Sequence, residues 1–405
     1  MTVNTPMPLA EYAEKAEAWL DEHAERRAPG GQLRWGVGSD KVAVFHNMTR
    51  EQERACIDAL LAWQRLKSDA GYGSITWPAQ YGGAGLPAAY EREFARLERL
   101  FVTPPTHEAV SISLNIEAPT ILALGTDAQK ERYVPSLRRG DELCCQLFSE
   151  PGAGSDLGSI TLRAERDGDE WVVNGQKVWT SGAQYADFGY LIARTVADAP
   201  RQRAMTAFMV AMDAPGLEVR PLRQMSGGSS FNEVFFTDVR IPDSERVGDV
   251  GTGWGAMMTT LGFERASASG GGGGADILGR LMLLARHVGR DSDPVVRQLL
   301  ADVYIGSRVK AMTQRRAADA RRAGGVPGPE GSLGKLAHTN WMQQVTHVVS
   351  VLLGPSLLAD TGEWGTYVWA EFVLGAPGMR LGGGTDEIQR NTIAERALGL
   401  PRELR

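Results

Sequence analysis

The hydrophobic period changes twice along this 405-residue chain, and that double change limits the folds open to it. Up to about residue 145, apolar residues recur at helical spacing. In 8–28 (PLAEYAEKAEAWLDEHAERRA), Leu9, Tyr12, Ala16, Leu20 and His23 fall near one face, with charges elsewhere. Thr49 ahead of Glu51, Gln52 and Glu53 reads as the cap of a helix over 49–69. Further helices are predicted over 88–100, 107–124 and 127–137, the last interrupted near Pro135. An irregular Gly-rich stretch at 30–44 and a Pro- and Gly-rich loop at 75–87 separate them. From 146 to 241 the period becomes two. Runs at 159–166, 170–173, 177–180, 188–195, 204–212, 217–221 and 232–241 are rich in Val, Ile, Phe, Tyr and Thr. Asn174-Gly175, between two of these runs, predicts a tight hairpin. After Gly251 the helical period returns, with helices expected over 254–269, 277–288, 294–322, 333–353 and 366–374, a loop over 324–331, and a last helix opening at Thr385. The expectation is an α+β multidomain chain: helical over 1–145, β over 146–241, helical over 242–405.

Several function classes drop out. The net charge is −6 and no basic run suits the phosphates of nucleic acid. No apolar run reaches the roughly 18 residues of a membrane span. The first twenty residues lack a basic region followed by an apolar stretch, so no secretory signal is expected. Cys56, Cys144 and Cys145 make neither a disulfide framework nor a metal motif; they read as reduced, buried thiols of a cytoplasmic protein.

Chemistry is concentrated at the joins. QLFSEPGAGSDLGSI (146–160) places the small residues Gly152, Ala153, Gly154 and Ser155 between a hydroxyl-bearing strand end and Asp156. Small residues let backbone N–H groups approach a ligand, although such a turn is also often only a turn. The glycines at 270–274 would each cost about 1 kcal/mol inside a helix, so the helix is broken there or something packs close to its backbone. Gly382, Gly383 and Gly384 precede a helix whose first turn carries Asp386 and Glu387, which suits its N-terminus.

Four blocks in order, QLFSEPGAGSD (146–156), NGQKVWTSGA (174–183), QMSGGSSFNEVFFTDVRIP (224–242) and GGGTDEIQRNTIAERALGLP (382–401), resemble those of acyl-CoA dehydrogenases, and the resemblance covers nearly the whole chain. It implies an N-terminal α-helical domain, a middle β-barrel and a C-terminal four-helix bundle. It also implies FAD, an acyl-CoA substrate converted to a trans-2-enoyl thioester, and an electron-transfer flavoprotein or similar acceptor. The assembly expected is a homotetramer or dimer, with a heteromer possible.

By the same resemblance, Gln146, the backbone at Phe148 and the hydroxyl of Ser149 meet the isoalloxazine. Ser155 touches the thioester ligand or the cofactor, and Trp179, Thr180 and Ser181 form the other flavin wall. Taken alone, Trp179 reads equally as a core strand aromatic. Thr385 and Glu387 match positions that contact FAD, although Asp386 and Glu387 would oppose a phosphate placed too close. Arg286 is the nearest match to an arginine that holds the FAD pyrophosphate of a neighbouring chain, while His287 reads as a surface residue. Many relatives place the catalytic Glu just before the Gly-Thr of the last block, where this chain has Gly383. Isovaleryl and long-chain types supply it from an earlier helix, before an Arg; here that sequence is Gly262, Phe263, Glu264, Arg265. Glu264 is therefore the expected base, with Arg265 and Gly384 at the substrate; a Glu-Arg dipeptide is otherwise usually a solvated pair. The open glycine turn and the 270–274 run suggest room for a bulky or branched acyl group. The wording of the third block and of the Arg286 region resembles actinobacterial members acting on lipid or sterol side chains. An oxidase or flavin monooxygenase on the same fold, and a non-catalytic partner subunit, are the alternatives.

Overall fold

The period changes become two compact units in a computed structural model that describes residues 7–27, 33–45, 47–196, 198–270, 276–322 and 329–402. The first unit draws on Met1–Gly31, Met48–Leu222 and Phe231–Phe263; the second on Gln32–Asn47, Arg223–Ser230 and Glu264–Arg405. The glycines 271–274, most of the loop expected over 324–331 and the start of the 30–44 stretch lie outside the described residues.

The helices of the first unit are α1 (Leu9–His23), α2 (Arg50–Asp69), α3 (Ala88–Glu98), α4 (Glu108–Ile112), α5 (Ala118–Leu124) and α6 (Asp127–Arg139). α1 buries Tyr12, Ala16 and Leu20 against Tyr90, Phe94 and Leu97 of α3, as its spacing predicts. Leu9 and His23 do not join that face: both are exposed, and the His23 ring contacts the Trp19 carbonyl. α2 opens with a reciprocal Thr49–Gln52 capping box, which satisfies two backbone donors at once. A single π turn over Ser113–Glu117 joins α4 to α5. Pro135 does not interrupt α6, because Tyr133, Val134 and Leu137 are buried around it and hold the helix through the lost amide.

Eight strands follow: β1 (Cys144–Leu147), β2 (Arg163–Asp167), β3 (Glu170–Ser181), β4 (Phe188–Arg194), β5 (Met205–Ala211), β6 (Leu217–Leu222), β7 (Phe231–Pro242) and β8 (Arg246–Val247). They form one sheet in the order β6-β7-β3-β2-β4-β5-β8, with β1 parallel to β4. The expected barrel is corrected to an open sheet. Among the described residues β6 pairs only with β7, and the two-residue β8 only with β5, so the edges are not joined. One face packs Tyr190, Ile192, Met205, Ala207 and Met209 against α5 and α6; the other is lined by strand residues such as Leu147, Trp171, Leu191, Phe208 and Val234. The hairpin expected at Asn174-Gly175 is also corrected. These residues lie inside β3, at a register shift where Asn174 and Asp238 exchange hydrogen bonds of 2.9 Å. The real turn is Gly168-Asp169, joining Asp167 to Glu170, with Gly168 at φ +66°.

α7 (Gly253–Gly270) contains the division between the units, at Phe263 and Glu264. The second unit holds α8 (Ile277–His287), α9 (Pro294–Arg322), α10 (Glu330–Leu353), α11 (Val368–Met379) and α12 (Asp386–Arg396). Its core is shared by Leu281 and Leu284 of α8, Val296 and Val303 of α9, Val345 and Val349 of α10, and Trp369 and Phe372 of α11. Each such burial contributes roughly 1.5–3 kcal/mol.

Candidate active site

In the first unit, β1 runs in parallel beside β4 and delivers Gln146 and Leu147, then Phe148, Ser149 and Glu150, to its C-terminal end. Phe148 and Glu150 are buried; Gln146 and Ser149 are half-buried. The chain reverses at Pro151 and Gly152, closed by hydrogen bonds of 3.1 and 3.0 Å between Glu150 and Ala153. A Cβ on Gly152 or Gly154 would meet nothing within 4 Å, so the chain's own packing does not demand these glycines. Ser155 beside them is exposed. Asp156 is held by Arg201 at 3.0 Å.

β3 supplies the second segment. Lys177 pairs with Val234 and Thr180 with Asn232, so Val178 and Trp179 face the single residue Glu233. This bulge re-aims the strand. Trp179 takes φ +62°, an unusual region for a bulky residue, and its side chain is 60% exposed. Thr180 returns to the buried face and Ser181 is half-buried. The Thr180 hydroxyl and the Asn232 Oδ1 are both buried without a hydrogen-bond partner.

The two segments are tied by groups that the sequence reading passed over. Lys177 is fully buried, and its Nζ donates to the Phe148 carbonyl and to Glu150 Oε1, both at 2.9 Å. Burial pushes this amine down to about 8, against the pull of Glu150. Burial also pushes the Glu150 carboxyl up. The Lys177 charge and the amides of Thr161 and Leu162 outweigh it, and the carboxyl ends below its ordinary range. The available signal was a lysine at an inward position of a strand whose inward residues ahead of it, Trp171 and Val173, are apolar.

The second unit carries the other predicted residues. Glu264 is half-buried on α7 and Arg265 is exposed. Gly383 and Gly384 take φ +65° and +85°. A Cβ placed on Gly383 would stand 3.3 Å from Glu264 Oε1, so the carboxylate occupies the space above this turn. Thr385 caps α12 by accepting from the Ile388 amide. Asp386 does not point outward: it is buried, bonded to Arg380 Nε at 2.7 Å and Thr339 Oγ1 at 2.8 Å. Burial raises its carboxyl, but these partners and Lys335 bring it below the ordinary value. Lys335 donates to the Gly384 carbonyl, and Gln389 donates to the carbonyls of Gly383 and Gly384 at 3.0 and 3.1 Å. Lys335 also feels the charge of Glu264. Glu387 is exposed and paired with Arg390. Arg286 is exposed near the end of α8, while His287 stacks on Trp35 and pairs with Glu363.

Comparison with known proteins decides what this arrangement belongs to. The sequence matches the acyl-CoA dehydrogenase N-terminal domain over 39–141, the middle domain over 145–239 and the C-terminal domain over 251–398. It is 36% identical over 362 residues to acyl-CoA dehydrogenase IpdE1 of Mycobacterium tuberculosis, covering 87% of this chain and 91% of that protein. The chain belongs to the acyl-CoA dehydrogenase family. Acyl-CoA dehydrogenase FadE34 of the same organism is 36% identical over 390 residues, 95% of this chain and 52% of that one. The solved ChsE4-ChsE5 complex from Mycobacterium tuberculosis has a TM-score of 0.70 at 26% identity, covering 100% of both chains.

An acyl-CoA dehydrogenase is an oxidoreductase acting on CH–CH bonds, and its cofactor is FAD. The residues present fit a flavin. An indole is held outward at a strained bulge, a buried hydroxyl at Thr180 lacks a partner, and a glycine turn is left open beside Ser149. Among the described residues no helix is long and apolar enough to cross a membrane.

Proposed function

We propose that this acyl-CoA dehydrogenase oxidises an acyl-CoA thioester to its trans-2-enoyl form, with Glu264 as the base that removes the α-proton. The position of the Glu264 carboxylate, 3.3 Å from where a Gly383 side chain would begin, carries this reading. A carboxylate there stands where a glutamate at 383 would have stood, which gives the missing side chain a reason. Lys335, Gln389 and Asp386 hold the turn beneath it. FAD supplies the acceptor for the β-hydride. Gln146, Phe148 and Ser149 would bind its ring edge, Trp179, Thr180 and Ser181 its face, and Thr385 and Glu387 a further part. Arg286 would reach the flavin of a neighbouring chain, and its exposure supports that. Ser155, Arg265 and Gly384 would meet the thioester.

Glu264→Gln tests this. It keeps the shape and hydrogen bonding of the side chain but cannot take a proton. The variant should retain bound FAD and lose at least about 10³-fold in kcat/KM. Turnover within tenfold of the wild type would remove Glu264 from the role.

The family relationship supports an electron-transfer flavoprotein as acceptor, and slow reoxidation by air would separate this from an oxidase. Solved relatives include the "Tcur3481-Tcur3483 steroid ACAD", with a TM-score of 0.76 at 25% identity and 100% coverage of both chains. That title, with the side-chain-free turn at Gly382, Gly383 and Gly384, supports a bulky, steroid-like acyl group here. Exposed Tyr304, Ile305, Val309 and Met312 form an apolar stripe along α9, which supports an assembled enzyme, either homomeric or with a related second subunit. α8 to α11, which share one core, would be its four-helix bundle. Free thiols at Cys56, Cys144 and Cys145 support a cytoplasmic setting.

A further inference from the structure

A fully buried lysine is costly to keep, and a well-packed apolar replacement of a buried ion pair is often no less stable. Lys177 therefore calls for a reason beyond filling the core. Its Nζ reaches the Phe148 carbonyl and Glu150 Oε1 at 2.9 Å each. Glu150 in turn accepts from the Thr161 amide at 2.6 Å, the Thr161 hydroxyl at 2.8 Å and the Leu162 amide at 2.9 Å. The Ser149 carbonyl accepts from the Val178 amide at 2.9 Å. Residues 148, 149 and 150 are thus each fastened, and two of the fastenings end on the Lys177 ammonium. Lys177 is also the last regularly paired residue before the bulge that turns Trp179 outward. One cation consequently sits between the strand end that bears Ser149 and the strand that bears Trp179 and Ser181.

We propose that Lys177 is a positioning residue that fixes the spacing between the Phe148-Ser149 edge and the Trp179-Ser181 wall, and so sets how tightly FAD is held and at what potential. This rests on the reading that FAD meets these two segments. Lys177 touches neither substrate nor flavin in this scheme. It acts through the Phe148 carbonyl, whose direction determines where the adjoining Ser149 hydroxyl and amide face. Glu150 supplies a countercharge that lowers the cost of burying the ammonium, while the Phe148 carbonyl fixes its position. Removing the ammonium leaves the Phe148 carbonyl without its donor and allows the strand end to relax away from β3.

The test uses full-length apoprotein titrated with FAD, following flavin fluorescence, together with the midpoint potential of the bound flavin. Three variants are compared: S149A, E150Q and K177M/E150Q. E150Q keeps one acceptor oxygen, enough for the Leu162 amide and Lys177 but not also for Thr161, and leaves Lys177 on Phe148, so it should lose stability while its FAD affinity stays within about threefold of the wild type. K177M/E150Q removes the ammonium without stranding a carboxylate. It should fold, as judged by far-UV circular dichroism, yet bind FAD at least about tenfold more weakly and at a shifted potential. S149A should weaken FAD at least about threefold and perturb the flavin absorption bands. If S149A leaves affinity and spectrum unchanged, the flavin-edge reading fails and takes the inference with it. If S149A weakens FAD but the double variant binds it within twofold of the wild type, the inference alone fails. A double variant that does not fold, beside a folded E150Q, also overturns it and assigns Lys177 to the stability of the sheet.

Discussion

Two lysines hold two glycine-bearing loops in this enzyme, and they do so under different conditions. Lys177 donates to the Phe148 carbonyl beside the Gly152 and Gly154 turn; Lys335 donates to the Gly384 carbonyl. Each has a buried carboxylate nearby, Glu150 in the first case and Asp386 in the second. Lys177 is 0% exposed and, among the described residues, Glu150 is its one charged partner. The Lys335 side chain is 20% exposed, and Asp386 is bound more closely by Arg380 and Thr339 than by Lys335. The dry pair has one arrangement and a high cost of losing it. The wetter cluster has partners to spare and lies within the field of Glu264, whose charge the proposed reaction changes. A loop that only positions can be locked; a loop beside a base benefits from water and redundancy.

The strongest way to break this contrast is to remove each ammonium. Lys177→Met alone strands Glu150 in the core and should destabilise the protein by about 3–5 kcal/mol in urea unfolding, whereas Lys335→Met should cost about 1 kcal/mol. Equal losses would erase the distinction. A pH series comes next in size. The native Lys177 amine titrates at about 8, below its ordinary value of 10.5. Between those values the unfolded chain binds more protons than the native one, so stability from this group rises as pH rises through the window. Wild type should gain on the order of 2–3 kcal/mol relative to K177M/E150Q between pH 8 and 10.5. A gain of the opposite sign would show that the native amine is not depressed. The smallest effect sharpens the other half. Lys335 favours the charged form of Glu264, so Lys335→Met should move the acid limb of the kcat/KM profile upward in pH. No movement would detach Lys335 from the base.

Much of this was legible because helical and strand periods are local properties. α2 with its Thr49 cap, α8 and α9 follow the sequence closely. What escaped depends on contacts between distant residues. Asn174-Gly175 carries a hairpin signature, but pairing with Asp238 across β7 turns it into an irregularity inside one strand. An open sheet and a closed barrel have the same alternation; only the outer edges of β6 and β8, unpaired among the described residues, separate them. Asp386 read as a helix-start acid, and its partners Arg380 and Thr339 approach only through tertiary packing. Lys177 looked like one polar residue among several in NGQKVWTSGA, since its partners at 148 and 150 are strands away. The placement of Glu264 above Gly383 needed both ends of the second unit at once.

The bulge at Val178 and Trp179 acts as a phase shift. Before it, odd-numbered residues of β3 such as Trp171, Val173 and Lys177 face inward; beyond it, the even-numbered Thr180 does. The indole stands outside because the count between Lys177 and Asn232's partner is one residue longer than on the opposing strand. Deleting Val178 would leave Trp179 opposite Glu233 and Thr180 still inward, yet remove the bulge that holds Trp179 at φ +62° and so re-aim the indole. The wall is therefore encoded in spacing as much as in residue identity: the direction of its indole depends on one residue more than the opposing strand has.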